Sequence, residues 1–321
     1  MSTPLIEAID LKKYFSTPSG ALHAVDGVSF QLEEGKTLGV VGESGCGKST
    51  LGRTILRLIE PTGGRVLYRG EDITKYSATQ MREIRKKVQI IFQDPYASLN
   101  PRMTVSEIIA EPIKVNHMTK DSTELQKRVA ELMDTVGLAS RLVNTYPHEL
   151  DGGRRQRIGI ARALALSPDF ILCDEPVSAL DVSIQAQVLN LLMDLQADRG
   201  LTYMFVTHNL SVVKHISNQI MVMYLGQCVE MADSEELFQN PQHPYTRALL
   251  AAIPVAELSS RNKRRAIIRG EVVSPIDPKP GCRFAPRCPY ATEACTQGDV
   301  PMQSTGGDHF VACRRVSELN K

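Results

Sequence analysis

The sequence predicts an α/β fold with an antiparallel β layer at its start, an inserted helical subdomain and a small cysteine-rich extension at its end. Three observations carry this reading. TLGVVGESGCGKSTLGRTILRLI passes from an apolar strand through a glycine-rich turn into a helix, a strand–loop–helix unit. Two later apolar strands, in DFILCDEP and LTYMFVTHN, are separated by the amphipathic stretch SIQAQVLNLLMDLQADRG, the pattern of a parallel sheet with helices on it. After HPYTRALLAAIP the composition shifts to Pro, Gly, Cys and Arg with little periodicity.

In chain order, PLIEAIDLKKYF and ALHAVDGVSFQLEEG alternate apolar and polar residues and read as antiparallel strands. The first helix carries Leu51, Ile55, Leu58 and Ile59 on its apolar face. From about Asp94 to Leu166 the pattern is helical, as in TVSEIIAEPI and TELQKRVAELMDTVGL, and marks the inserted subdomain. The main domain is placed at 1–254 and the extension at 255–321, with SSRNKRRA as a solvated basic linker.

With 321 residues and 42% hydrophobic content, the chain can bury one large core plus a smaller appendage. Its formal charge of +1 gives no global argument for a nucleic-acid partner. No apolar run approaches the ~18–20 residues that cross a bilayer, and MSTPLIEAIDLKK lacks the apolar stretch of a signal peptide. The expectation is a cytosolic protein that meets a membrane through a partner.

The segment Gly42, Glu43, Ser44, Gly45, Cys46, Gly47, Lys48, Ser49, Thr50 matches G-x-x-x-x-G-K-[ST] between a strand and a helix. Its glycines let successive N–H groups form a nest for phosphate, with the helix dipole behind it. Lys48 reaches the β- and γ-oxygens, Ser49 offers its hydroxyl to Mg²⁺, and Asp174 at the end of FILCD holds that ion. Glu175 is placed to take a proton from the attacking water, and His208 in FVTHN ends the next strand on the same sheet edge. Cys46 reads as a small tolerated residue.

The order GESGCGKS, IFQDP, DGGRRQR, FILCDEP, SALD, THN resembles the nucleotide-binding subunit of an ABC transporter over roughly residues 5–250. The resemblance implies a P-loop NTPase (RecA-like) cassette that binds and hydrolyses MgATP. It implies Gln93 as the lid-loop glutamine that senses Mg²⁺ and the γ-phosphate, Ser178 to Asp181 as the loop coupling two active sites, and His208 as the switch histidine. An aromatic near the start, Phe15 or Tyr14, is expected to stack on adenine. The helical subdomain and the lid loop, with Ala97, Ser98 and Leu99 nearby, are expected to dock on a membrane permease.

In that family the turn LSGGQ completes the ATP site of the opposite subunit. Here Leu150, Gly152 and Gly153 keep the pattern, while Asp151 replaces the serine and Arg154 the glutamine. A serine hydroxyl donates; a carboxylate only accepts. Two unit charges about 4 Å apart repel by roughly 4 kcal/mol at an effective dielectric near 20, so Asp151 opposes a γ-phosphate unless Arg154 or Arg155 neutralises it. Asp is also among the best helix N-caps, and both roles are compatible. The expectation is one weakened ATP site and therefore a heterodimer. Asn209 stands where the family has Asp after the histidine.

Four of the seven cysteines crowd the end of the chain as Cys282-x5-Cys288-x6-Cys295-x17-Cys313, which suits zinc or an iron–sulfur cluster better than disulfides in a cytosolic chain. With QHPYTRALLAAIP, this tail is similar to the C-terminal region of dipeptide and oligopeptide importer ATPases, which implies a 4Fe-4S cluster on the four cysteines. DLKKYF, QDPYASLNPRMTV and DEPVSALDVSIQAQVLNLLMDLQ resemble the second of the two ATPases of such importers. The implied partners are a second homologous ATPase subunit, two permease subunits and, indirectly, an extracellular solute-binding protein, at the cytoplasmic face of the plasma membrane. Service to nickel or another small solute is the alternative within the family. A soluble ABC ATPase of DNA repair or chromosome organisation is the alternative outside it.

Overall fold

The computed structural model describes residues 3–253, 270 and 273–319. The chain divides into two compact units, one formed by Met1–Leu32, Thr37–Thr74 and Val206–Lys321, the other by Glu33–Lys36 and Lys75–Phe205.

The first unit opens with β1 (Ile6–Thr17) and β2 (Gly20–Leu32), followed by β3 (Thr37–Val41), α1 (Lys48–Ile55), β4 (Gly63–Tyr68) and β5 (Glu71–Asp72). As the alternating pattern predicts, β1 and β2 form an antiparallel hairpin running from Ile6↔Leu32 to Thr17↔Gly20, and the sheet has the order β2-β1-β4-β5. Helix α1 is shorter than its apolar pattern predicts. Leu56 ends it, Arg57 turns left-handed at φ 48°, and the Arg57 guanidinium is held by Glu60 and the Ile73 carbonyl, leaving Leu58 half exposed.

The second unit carries α2 (Ala78–Lys87), β6 (Val88–Ile91), α3 (Pro95–Ser98), α4 (Val105–Val115), α5 (Ser122–Thr135), α6 (Gly152–Leu164), β7 (Phe170–Asp174), α7 (Val182–Arg199) and β8 (Thr202–Val206). Local sequence starts these helices. Ser77 with Gln80 and Thr104 with Glu107 form capping boxes, and Asp181 accepts from the Ile184 amide at the head of α7. Strands β6 and β7 run parallel in the register Val88↔Phe170 to Ile91↔Cys173, and the five residues of β7 are all buried.

The chain returns to the first unit with α8 (Leu210–Ile216), β9 (Gln219–Tyr224), β10 (Gln227–Asp233), α9 (Ser234–Gln239), α10 (Pro244–Ala251), β11 (Gln303–Gly306), β12 (His309–Val311) and α11 (Val316–Leu319). Within this unit the strands lie in the order β11-β12-β10-β9-β3, with β9 parallel to β3. One core joins Val41, Val213, Val222, Tyr224, Tyr245 and Phe284, so described tail residues share a core with the end of β3. Phe284 is 1% exposed, and burying such a ring stabilises by roughly 1.5–3 kcal/mol. The basic run SSRNKRRA and the boundary at 254/255 lie outside the described residues.

No described helix is long and apolar enough to cross a membrane.

Candidate functional site

The phosphate loop follows β3 directly. Gly47, at the head of α1, has φ 103°, and a Cβ there would stand 2.0 Å from the Ala24 carbonyl oxygen, so only glycine fits. The head of α1 has no side-chain cap. Lys48 is 4% exposed, and its ammonium donates to the Gly42 and Glu43 carbonyls, both at 2.9 Å. A backbone cradle with a buried cation and a helix N-terminus behind it fits a triphosphate. Cys46 is buried with Sγ 3.8 Å from the Lys48 ammonium, and burial pushes its thiol up, so it stays neutral. Ser49 and Thr50 begin α1.

His208 lies just past β8. The Thr207 amide donates to the Val40 carbonyl at 3.1 Å, which sets His208 beside the end of β3, and the histidine is exposed. Asn209 serves as the N-cap of α8, accepting from the Ser211 amide at 3.0 Å.

In the second unit, Asp174 ends β7 and is fully buried. Glu175 has φ 48°, a left-handed conformation for a non-glycine residue, and its carbonyl accepts from the Ser178 amide and hydroxyl at 3.2 and 3.1 Å. Gln93 Nε2 donates to Glu175 Oε2 at 3.0 Å. The strand register explains the pairing: Ile91 faces Cys173, so two residues further on Gln93 meets Glu175.

The turn before α6 shows how Asp151 is used. Its carboxylate accepts from the Arg154 amide at 2.8 Å as the N-cap, and the Arg154 Nε lies 3.5 Å from the other oxygen. A Cβ at Gly153 would crowd Ile184 Cγ2 at 2.6 Å, and one at Gly152 would meet Leu180 at 3.1 Å. The following arginines brace the helix. Arg155 is buried, lies 3.4 Å over the exposed Tyr96 ring and donates to the Pro147 carbonyl, while Arg162 donates to the Ser98 carbonyl at 2.6 Å. The 95–98 helix and the head of α6 are therefore tied together. Ala97, Ser98 and Leu99 sit at that tie, with Leu99 buried.

Near the start, Phe15 is half-buried with the Lys13 ammonium 4.8 Å over its ring. Tyr14 stacks on His23 at 3.9 Å, and its hydroxyl donates to Asp26. Burial first, then that hydrogen bond to a carboxylate, push the Tyr14 phenol upward. Sequence reasoning missed a further set of residues around the loop. Arg287 grips the Glu43 carboxylate through both Nη atoms at 2.8 and 3.1 Å, the Glu43 amide donates to the Tyr245 hydroxyl at 2.9 Å, and Arg283 pairs with Asp26. The available signal was an acid inside a phosphate loop together with two arginines in CRFAPRC.

These loops define an ATP-binding cassette of the ABC type. Residues 25–178 match the family described as ABC transporter, and residues 229–295 match the family described as oligopeptide/dipeptide transporter, C-terminal region. The chain is 28% identical to the dimeric cassette MJ0796 solved in a post-hydrolysis state with ADP and Pi, at TM-score 0.65 over 71% of this chain and 98% of that one. It is 26% identical to cbiO1 of Clostridium perfringens, at TM-score 0.66 over 74% and 92%.

The chain belongs to the ATP-binding subunits of the ABC peptide transporters. It is 50% identical to the oligopeptide transport ATP-binding protein OppF of Salmonella typhimurium, over 98% of this chain and 97% of the relative. It is 51% identical to the dipeptide transport ATP-binding protein DppF of Haemophilus influenzae, over 98% of both. It is 50% identical to AppF of Bacillus subtilis, also an oligopeptide transport ATP-binding protein, again over 98% of both. Membership makes the chain an ATPase coupled to transport and implies membrane permease partners.

The cysteine tail corrects the sequence expectation. Cys282, Cys288, Cys295 and Cys313 line one cavity, but among the described residues no three His, Cys, Asp or Glu side chains form a set able to hold a metal. All four are free thiols, and burial pushes Cys282 up to about 11 and raises Cys288 and Cys313. The names of the relatives above describe peptide transport and ATP binding and no cluster. The 4Fe-4S cluster and the zinc alternative are therefore withdrawn. The spacing counted the thiols correctly but carried no information on whether they converge. Cys173 and Cys228 are buried core residues.

Proposed function

We propose that this chain is one half of a heterodimer of homologous ATP-binding subunits. The pair sits on two permease subunits at the cytoplasmic face of the plasma membrane and drives uptake of peptides delivered by an extracellular solute-binding protein. The observation that carries the heterodimer is Asp151. Its carboxylate is committed to the Arg154 amide and paired with the Arg154 guanidinium, so the α6 head holds an acceptor where a partner's γ-phosphate needs a donor. Peptide cargo is favoured over nickel because the similar relatives are oligopeptide and dipeptide transport proteins. The DNA-repair alternative finds no counterpart among them.

In this reading Gly42 to Thr50 cradle the phosphates, Lys48 neutralises them, and Ser49 with Asp174 holds Mg²⁺. The ion, when bound, neutralises charge on the transferring phosphoryl group. Glu175 accepts the proton of the attacking water, and Gln93, bonded to it, holds the carboxylate until nucleotide engages the lid loop. His208 reports the γ-phosphate, and Phe15 supplies the adenine platform. Gly152 and Gly153 present the α6 turn to the partner's nucleotide. The test is composition: the transporter purified with its permease is expected to hold one copy of this chain and one of a second ATPase by native mass measurement. Two copies of this chain and no second ATPase contradict the proposal.

A further inference from the structure

Glu43 is the acid of the phosphate loop, GESGCGKST, and a carboxylate in a loop that grips a polyanion works against binding by like-charge repulsion. The structure supplies its counterion from 244 residues away along the chain. Arg287, on the turn Ala285–Arg287, forks onto both Glu43 oxygens, and its side chain is 7% exposed against 26% for Glu43. Its Nη1 also donates to the Tyr224 hydroxyl at 3.2 Å. The Glu43 amide, one residue into the loop, donates to the hydroxyl of Tyr245, which is fully buried.

The platform under these groups is aromatic. Tyr224, Tyr245 and Phe284 pack against one another with ring centroids 4.7–5.3 Å apart. The segment before Arg287 is held along the edge of β2, where the Asp277 amide donates to the Ala21 carbonyl and the His23 amide to the Pro275 carbonyl. Arg283 pairs with Asp26 and donates to the Leu225 carbonyl. Arg287 thus follows a segment hydrogen-bonded to β2 and to the Leu225 carbonyl.

We propose that Arg287 and Tyr245 are positioning residues of the nucleotide site. Arg287 neutralises Glu43 and draws its carboxylate to the tail, and Tyr245 fixes the Glu43 amide. Through Arg287 the C-terminal extension sets the affinity of the phosphate loop for ATP. This rests on the reading that the Lys48 loop binds ATP.

The experiment uses the assembled transporter with full-length chain and measures KM and kcat for MgATP. Arg287→Ala is expected to raise KM about tenfold with kcat changed by less than about twofold, because the lost charge compensation acts on binding. The defect should shrink as salt rises from ~50 to ~500 mM, since salt screens repulsion from the partly exposed Glu43 carboxylate. Adding Glu43→Gln to Arg287→Ala should restore KM to within about threefold, although the ion pair remains absent. A purely structural weld would leave the double variant as impaired as the single one, and that result overturns the proposal. An unchanged KM in Arg287→Ala overturns it as well. Where alanine prevents assembly, Arg287→Met keeps the apolar stem beside Tyr224 and is subject to the same KM measurements, alone and with Glu43→Gln, and to the same two overturning results. Lys48→Ala separates the two readings. Loss of ATP binding there with no effect of Arg287→Ala defeats this inference alone, whereas ATP binding retained in Lys48→Ala defeats the loop reading beneath it.

Discussion

Two helices in this chain begin at glycine-rich turns, and their heads are built in opposite ways. At α1 the N-cap is Gly47 in a left-handed conformation, with no side-chain cap and the Lys48 cation buried beside it. At α6 the N-cap is Asp151, extended, with its carboxylate already on the Arg154 amide. Both solve the problem of unpartnered first-turn amides. The first uses a glycine cap with no side-chain acceptor, and the second uses a carboxylate of the chain. Glycine before a helix therefore does not by itself decide how the helix head is capped; the residue at the cap does.

The comparison can be broken at several points. The largest expected effect is on the chemistry served by the open head. Glu175→Gln should lower hydrolysis by the roughly 10²–10⁴-fold that a positioned proton acceptor contributes, while ATP still binds. Phosphate release and nucleotide titration on the assembled complex measure the two separately.

Next comes a third helix head, that of α10, where the His243 side chain accepts from the Tyr245 amide at 3.1 Å. Burial holds His243 down at about 4, from its ordinary 6.5, so the folded state keeps it neutral where the unfolded chain takes up a proton. Its share of stability is fully present above about pH 6.5 and is lost as pH falls toward about 4, roughly 3 kcal/mol in all. Denaturant unfolding across that range should show the loss, and His243→Asn, which keeps a capping acceptor, should flatten this contribution.

Replacing glycine separates the two turns in the same currency. Gly47→Ala meets both a positive φ and the Ala24 backbone, and should cost about 2–3 kcal/mol together with nucleotide binding. Gly153→Ala meets only a movable Ile184 methyl and should cost about 1–2 kcal/mol in a thermal melt. Asp151→Ala removes the cap and should cost about 1 kcal/mol, whereas Asp151→Ser keeps one and should stay within a few tenths.

The open head was legible because G-x-x-x-x-G-K-[ST] ties residue types to a backbone shape, and its strand and helix flanks lay within the same short stretch. The antiparallel hairpin was legible from alternation alone. The Gln93–Glu175 bond was only half legible: each residue was named by its motif, but their contact depends on the register of β6 against β7. The Arg287–Glu43 pair was not legible at all. An isolated ion pair between distant segments leaves no periodic trace, and the composition shift near residue 255 masks a tail whose described residues share a core with the phosphate loop's strand. The metal expectation at the four tail cysteines failed for a related reason, since spacing along a loop-rich segment does not fix whether thiols that share a cavity come close enough to share a metal.

The central claim is that Asp151, by filling its own helix head, weakens the ATP site this chain closes for its partner. Steady-state ATP hydrolysis by the assembled transporter carrying Asp151→Ser tests it most directly. The account predicts a rate increase of about twofold, as a second site joins the first. A rate that stays the same or falls would contradict it.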